Sequence, residues 1–467
     1  MIATHFSRVR GLPLEHEELF GEALQELAAR RQKNLLLSTY YDSKQTFRDL
    51  GISIPPNLKN VEAALGWPSR AVQALARKHK FEGFSLDGET DPFSMGELLS
   101  ANDFELKFMQ AVTSAYKHSC SFLLVTQGQT SAGEPPVLVS ARGADSVGAL
   151  WDSRRDQIKG AVVELDTDEA GQINEALFLA PGRWYVMDLD AGEWRVQDSS
   201  ANPSGIDRPM IEALRYDPQL NRPFGRSRIT REVRYLTDAA VRAMVRAEVS
   251  AEFFTAPQRY VLGADEEAFK DQDRWSAITG RIMALSNNVE GEKPTVGQFP
   301  AQSPDQLWST YRQLAQSFAA ATNVPQNQVG LFADNPSSAE AMQAAEAALA
   351  EDAEYQWKVF KPALLRTKAN ILGMLGEQIP GDFYRVRVNW EKARYVSPQA
   401  SSDWAIKAVN ADPTLQGSAV VRRRLGLSEG ELEELRSDER RVGALASLER
   451  MNVPSVNPRA TSAPVEA

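Results

Sequence analysis

Most of what marks an enzyme by its sequence is missing from this chain. Its 467 residues hold one cysteine, Cys120, and four histidines, His5, His16, His79 and His118. A single cysteine excludes internal disulfides and favours a reducing compartment. There is no G-x-x-x-x-G-K-S/T, no G-x-G-x-x-G after a strand, no H-E-x-x-H, no C-x-x-C and no G-x-S-x-G, so phosphate loops, zinc-protease sites and nucleophile elbows are absent. Positive charge is not in excess: 62 acidic against 52 basic residues leave a net charge of −10. That argues against a protein that clamps nucleic acid through surplus lysine and arginine, though not against one that lets it pass. No apolar run approaches ~20 residues, so no membrane span is expected. The start, MIATHFSRVRGLPLEHEELF, has no apolar stretch long enough for a signal peptide.

What is present reads as an α+β protein, mainly helical, of two to four domains by length. Residues 15 to about 125 read as mostly helical. LFGEALQELAARRQKNLLLSTYYDS carries an apolar stripe at helical spacing, and GISIPPNLKN breaks it with Pro55 and Pro56. A second helix is expected over NVEAALGWPSRAVQALARKH with Pro68 interrupting it. A third spans 97–118, and SCSFLLVTQ follows as a strand. From about 159 to 199, GAVVELDTDEAG, QINEALFLAPG, RWYVMDLDAG and EWRVQDSS alternate with period two and are joined by D-x-x-G, P-G and D-A-G turns, which predicts an antiparallel meander.

A helix is expected from about Arg231 to Phe254, with Val233, Leu236, Ala240, Met244, Ala247 and Ala251 on one stripe and Arg234, Asp238, Arg242 and Arg246 on another, where Asp238 can pair with an arginine four residues away. Beyond it PQRYVLG and PTVGQFPA read as strands and RWSAITGRIMAL as a short helix. In SPDQLWSTYRQLAQSFAAATNVP, Ser303 caps, Pro304 takes the first position, Gln306 completes an S-x-x-Q box, and Leu307, Tyr311, Leu314, Phe318 and Ala321 make the stripe. A long helix then opens at DNPSSAEAMQAAEAAL, where Ser337 and Glu340 have capping-box spacing and seven of the twelve residues from Ala339 to Ala350 are alanine. Its acids lie early and its bases late, in keeping with the helix dipole, and Pro362 is expected to kink it near Lys358. FYRVRVNW reads as a strand, two or three short helices follow from Ser397 to about Met451, and the tail NVPSVNPRATSAPVEA reads as disordered.

Candidate chemistry is thin. His118 and Cys120 lie two apart but have no further soft ligands, so a structural role is the better reading. Asp166, Asp168 and Gly171 imitate the start of a calcium loop, yet Ala170 and Leu177 fall where ligands are required, and a hairpin turn fits better. Arg222, Arg226, Arg228, Arg231 and Arg234 could touch phosphate; pairing with acids on a neighbouring element is favoured, as it is for Arg422, Arg423 and Arg424.

Taken in order, several segments resemble one family. They are NLLLSTYYDSKQTFRDLGISIPPNL, GWPSRAVQALARKHKFEGF, ANDFELKFMQAVTSAYKHSCSFLLV, FGRSRITREVRYLTDAAVRAMVRAEVSAEFFTAPQRYVLG, LAQSFAAATNVPQNQVGLFADNPSSAEAMQAAEAAL, SSDWAIKAVNADP and LGLSEGELEEL. Together, over about residues 15 to 445, they resemble the portal proteins of tailed bacteriophages, in the branch of long-tailed phages with Gram-positive and actinobacterial hosts. The resemblance implies a structural protein without catalytic residues, cofactor or metal. It implies a ring, usually of twelve subunits, at one capsid vertex of the virion, assembled in the host cytoplasm. Double-stranded DNA would pass through its tunnel. The implied partners are a terminase large subunit, a head-tail adaptor, and the major capsid and scaffolding proteins, with no membrane.

By position, the resemblance implies a wing over 1–230, a first stem helix at 231–254, a clip at 255–302 and a second stem helix at 303–322. It continues with a tunnel loop at 323–336, a long kinked wing helix at 337–375, a wing strand and connection at 376–396, crown helices at 397–451 and a tail at 452–467. Gln326, Asn327, Gln328 and Asp334 become the tunnel-loop candidates, with Ser337 and Glu340 as helix cap and Pro362 as kink. The loop has no lysine or arginine. Twelve copies would carry roughly −120, which repels phosphate instead of holding it. A non-portal scaffold or minor capsid protein, and an enzyme with no recognisable motif, are the alternatives.

Overall fold

The longest helices follow the apolar stripes of the sequence, and their buried faces decide what they touch. A computed structural model describes residues 9–45, 63–86, 91, 93–169, 171–203, 205–255, 259–262, 295–298, 305–331, 339–394, 398–427 and 429–451. The chain divides into two units, Met1–Ala393 and Arg394–Ala467.

In the first unit, helix α1 (Leu14–Tyr41) lies on a five-stranded antiparallel sheet of β4 (Val147–Asp152), β5 (Gln157–Thr167), β6 (Ile173–Ala180), β7 (Arg183–Asp190) and β8 (Glu193–Ala201), paired in chain order. This is the expected meander, with one strand more at its start. Leu19, Phe20 and Ala23 of α1 pack on Val162, Ala176, Phe178 and Met187. The approach is close enough to require glycine: a Cβ on Gly148 would stand 2.1 Å from the Ala23 carbonyl oxygen. The β5–β6 turn is closed by Gly171 N–H donating to the Asp168 carbonyl and Gln172 N–H donating to its carboxylate at 2.7 Å, so this segment is a hairpin turn, as read.

The other face of that sheet meets a three-stranded sheet ordered β3 (Val137–Gly143), β2 (Cys120–Gln127), β9 (Ile211–Arg215). Strand β2 is buried on both sides. Cys120, Phe122 and Leu124 face the meander. Leu123 and Val125 face a larger helical core. Strand β9 is buried at every residue and so loses the polar half of the pattern, whereas β3 is buried at Val137 and Val139 and exposed at Arg142. They, and β1 (Phe81–Ser85), were not expected. β1 pairs antiparallel with β12 (Arg387–Trp390), so the expected strand near FYRVRVNW finds its partner some three hundred residues earlier.

The helical core joins α2 (Trp67–Ala76), α3 (Met95–Ala101), α4 (Phe104–His118), α5 (Arg231–Thr255), α6 (Asp305–Thr322) and α7 (Ala339–Met374). Two expectations need correction. Pro68 does not interrupt a helix: it sits in the first turn of α2, where its missing N–H costs nothing. The helix expected over 97–118 is two helices. Asn102 leaves the ladder, donating to the Leu98 and Val137 carbonyls at 2.9 Å and accepting from Val139 N–H at 2.8 Å, and Asp103 turns left-handed at φ 49°. Three hydrogen bonds from one buried side chain, two of them to β3, outweigh one more helical turn.

Helix α5 is buried on two sides. Val233, Leu236 and Ala240 enter the helical core, while Val241, Val245 and Val249 pack with Ala63 and Leu65. Asp238 accepts from the Tyr40 hydroxyl at 2.9 Å, and Arg234 lies over the same ring. Helix α6 packs along α5, and Trp67 of α2 stacks on its Phe318 with centroids 4.9 Å apart. Its buried end is Ala315, Phe318, Ala319 and Thr322, so Ala321 is exposed, contrary to the expected stripe. Thr322 takes the inner place by donating its hydroxyl to the Phe318 carbonyl at 2.7 Å.

Strands β10 (Arg259–Leu262) and β11 (Thr295–Gln298) fall in PQRYVLG and PTVGQFPA, both read as strands, and they pair antiparallel. The expected breaks at Pro55 and Pro56, the cap at Ser303 and Pro304, the helix over 274–285 and the tail after Met451 lie outside the described residues.

The second unit holds α8 (Pro398–Ala411), α9 (Ala419–Arg424) and α10 (Glu429–Met451). Arg422 pairs with Glu439, the acid pairing favoured by the sequence, while Arg424 lies 4.0 Å over the Trp404 ring instead.

Candidate functional site

Helix α6 must end somewhere, and the way it ends builds the candidate site. The last carbonyls of a helix have no partner within it. Asn323 leaves α6 in the left-handed conformation, φ 52°, which asparagine tolerates. Pro325, at φ −55° and ψ 139°, then starts a 3-10 turn over Gln326–Val329. Gln328 N–H donates to the Pro325 carbonyl at 2.9 Å and Leu331 N–H to the Gln326 carbonyl at 3.1 Å. Gly330, at φ 84°, closes the turn. Val324, Pro325 and Val329 are buried, and Gln326 and Asn327 are exposed. The turn is thus a small wedge, seated on its apolar residues, with two amide side chains outward.

Below it lies a guanidinium. Arg228 is 5% exposed, just ahead of α5. Its Nε donates to the Ala71 carbonyl of α2 at 2.7 Å, its Nη1 to the Tyr216 hydroxyl at 3.0 Å, and its Nη2 to the Thr322 carbonyl at the end of α6. Asp352 of α7 stands 3.8 Å away and accepts from Asn323 Nδ2 at 3.0 Å. A planar fork reaching three acceptors in different directions suits arginine and not lysine. A cation at a helix C-terminus also complements the dipole there. The phosphate-binding reading of this arginine run therefore fails for Arg228, and for Arg226, which pairs with Asp217 at 2.5 Å.

Tyr216 continues the network inward. Its ring meets Tyr116 edge to face at 4.7 Å. The Tyr116 hydroxyl donates to His79 Nε2 at 3.0 Å, and His79 Nδ1 lies 3.0 Å from the Leu75 carbonyl, to which it donates. Burial pushes the His79 pKa down to about 4 and the Tyr116 pKa well up, so this pair is neutral. His118 is likewise pushed down by burial to about 4, so its ring is neutral, and burial raises Cys120 to about 11, which keeps it a thiol and not a nucleophile. No group of three or more His, Cys, Asp or Glu among the described residues could hold a metal.

A second charged cluster fixes the far half of α7. Glu212 of β9 is 2% exposed and accepts from Arg366 Nε at 2.6 Å and Arg208 Nε at 3.4 Å. Arg208 also donates to the Asn370 side chain at 2.6 Å. Burial pushes the Glu212 carboxyl up, and the two guanidiniums, Arg366 foremost, oppose that push.

Of the residues singled out by sequence, Gln326, Asn327 and Gln328 stand together on the turn, with Gln328 half-buried. Asp334 and Ser337 lie outside the described residues. Glu340 is in the first turn of α7, its side chain outside what is described. Pro362 lies inside α7, which is helical on both sides of it. Sequence reading missed Arg228, Asn323 and Asp352 as a set; the one available signal was an arginine three residues before a helix that begins with its own charges.

Comparison with known proteins follows the same span. A family model described as "Phage portal protein, SPP1 Gp6-like" matches residues 22–425. The chain is 26% identical over 420 residues to a portal protein of Mycobacterium phage D29, covering 87% of this chain and 85% of that one. It is 26% identical over 433 residues to a portal protein of Mycobacterium phage L5, covering 89% and 85%. A structure described as the neck of a native GTA particle computed with C12 symmetry aligns with a TM-score of 0.44 at 13% identity, over 87% of this chain and 99% of that one. With a family match that runs from α1 to the end of α9, this chain belongs to the phage portal protein family.

Proposed function

We propose that this chain assembles into a ring, expected to hold twelve copies, at one vertex of a capsid, and that the ring is the conduit through which double-stranded DNA enters and leaves. The family is one of structural proteins and not of enzymes. In this reading α5 and α6 are the stem, 255–302 the clip, 323–336 the tunnel loop, α7 with the N-terminal half the wing, and 397–451 the crown. The terminase large subunit, the head-tail adaptor and the capsid and scaffolding proteins are the proposed partners.

The observation that carries the loop's role is the seated turn. Gln326 and Asn327 are exposed on a base held by buried groups, and the segment 323–336 has neither lysine nor arginine. Neutral amides facing DNA hold it weakly and add little salt dependence. Such a wall guides a polyanion without retaining it.

The test begins with negative-stain images of the purified protein, which should show rings with a central hole; a compact monomer would sink the assembly proposal. Gln326→Lys with Asn327→Lys then places about two positive charges per subunit on the turn. Rings should form, DNA packaging should slow at low salt, and the slowing should ease as ionic strength rises. Packaging at the unaltered rate at low salt would remove the loop from the path of the DNA.

A further inference from the structure

The turn that carries Gln326 and Asn327 is seated on buried Val324 and Val329, and the two residues that end α6 ahead of it are tied to one charged network. Arg228 takes the carbonyl of Thr322, the last residue of α6, and Asp352 takes Asn323, three residues ahead of the turn. Asp352 and Arg228 are themselves a pair. The third and fourth ties of Arg228, to Ala71 and Tyr216, belong to α2 and to the segment after β9. The guanidinium therefore bonds α2, the end of α6 and the segment after β9, with α7 at ion-pair distance.

We infer that Arg228 is a positioning residue for the 326–328 turn: it fixes the end of α6 against α2 and α7, so that the exposed amides of Gln326 and Asn327 project from one defined place. This rests on the proposed role of the turn for its functional meaning, but not for its geometry. Were Arg228 merely filling space, any cation or apolar group of similar length would serve. Were it merely an ion-pair partner, Asp352 at 3.8 Å would be its closest contact; the carbonyls of Ala71 and Thr322 are closer. Lysine keeps the charge but offers donors from a single nitrogen, which cannot reach acceptors that lie on separate helices. Asn323 is the second tie, at the surface end of the same network.

The experiment is native-state hydrogen exchange on the assembled protein, comparing Arg228→Lys and Asn323→Ala with the unaltered chain. The reporters are the amides of Gln328 and Leu331, whose hydrogen bonds close the turn. The controls are amides of β5 and β6, in the sheet. Arg228→Lys should speed exchange at the reporters by at least about tenfold, and Asn323→Ala by about threefold, with the sheet amides unchanged, because local opening draws only on the ties that are cut. Equal acceleration in turn and sheet would mean that Arg228 supports the fold in general, and unaltered protection of the turn in both variants would mean that it positions nothing; either overturns the inference. DNA packaging is measured on the same rings. A loosened turn with slowed packaging supports both readings. A loosened turn with normal packaging keeps Arg228 as the positioning residue and removes the turn from the path of the DNA.

Discussion

Two buried arginine clusters hold helix α7, and they are built on opposite principles. At Glu212 a carboxylate is enclosed and two guanidiniums close over it, Arg366 at 2.6 Å and Arg208 at 3.4 Å. At Arg228 a guanidinium is enclosed and its near partners are neutral, two carbonyls and a tyrosine hydroxyl, with the Asp352 carboxylate more distant and 38% exposed. The first cluster is an ion cluster that pins β9 to a helix. The second is a hub of hydrogen bonds that gathers helix ends. Charge paired inside gives a joint whose loss leaves other charges stranded; charge satisfied by backbone gives a joint that sets geometry at lower electrostatic stake.

That contrast is broken most directly at Glu212. Glu212→Ala leaves the part-exposed Arg366 and Arg208 without their buried carboxylate, and unfolding free energy from denaturant titration should fall by about 3 kcal/mol. A loss below about 1 kcal/mol would mean that water already screens the cluster.

Acid should act on the aromatic side of the Arg228 network. The His79 pKa is lowered from 6.5 to about 4 in the folded chain, so the folded state resists a proton that the unfolded state accepts. Its contribution is fully present above about pH 6.5 and is lost as pH falls from there to about 4, by about 3 kcal/mol. Denaturant titrations at pH 7, 5 and 4 should show this slope, and His79→Leu should flatten part of it. An identical slope in the variant would place the acid sensitivity elsewhere, with His118 the next residue to examine because burial lowers its pKa in the same direction.

Asp352→Asn sharpens the comparison from the other side. It removes the charge beside Arg228 and keeps an acceptor for Asn323, so the loss should be about 1 kcal/mol or less at this part-exposed position. A loss as large as that at Glu212 would make the two clusters alike. Smaller still is the stability effect of Pro362→Ala, in the helix between Asp352 and Arg366. The change restores a backbone donor and should be neutral to slightly stabilising, within about 1 kcal/mol. If a bend at Pro362 relates the two clusters, rings should form and package DNA more slowly; normal packaging would deny the proline that role.

Much of this arrangement is legible in the amino-acid sequence. The stripe of α1, the limits of α5 and α7, the strands β10 and β11 and the meander follow from period and turn chemistry alone. What is illegible depends on partners distant in the chain. Nothing around Asn102 announces that Val137 and Val139 will satisfy its amide and split a helix. Strand β9 hides its alternation by being covered on both faces. Arg228 reads as one more member of a surface charge run, and only the Thr322 and Ala71 carbonyls, at 94 and 157 residues' separation, make it interior. The turn at Gln326 is visible as polar and uncharged; its seat is not, because Val324 and Val329 give no signal of which surface they will meet.

The bond from Arg228 to the Thr322 carbonyl has one more consequence. It joins two points 94 residues apart, so the packed pair α5 and α6 starts and ends at one bond. The entropy of closing such a circuit grows only with the logarithm of its length, about 0.6 kcal/mol for each doubling. The length of chain between the two ends is therefore almost free to vary as far as closing the circuit goes, and it is the packing of α5 on α6, and not the span, that limits it.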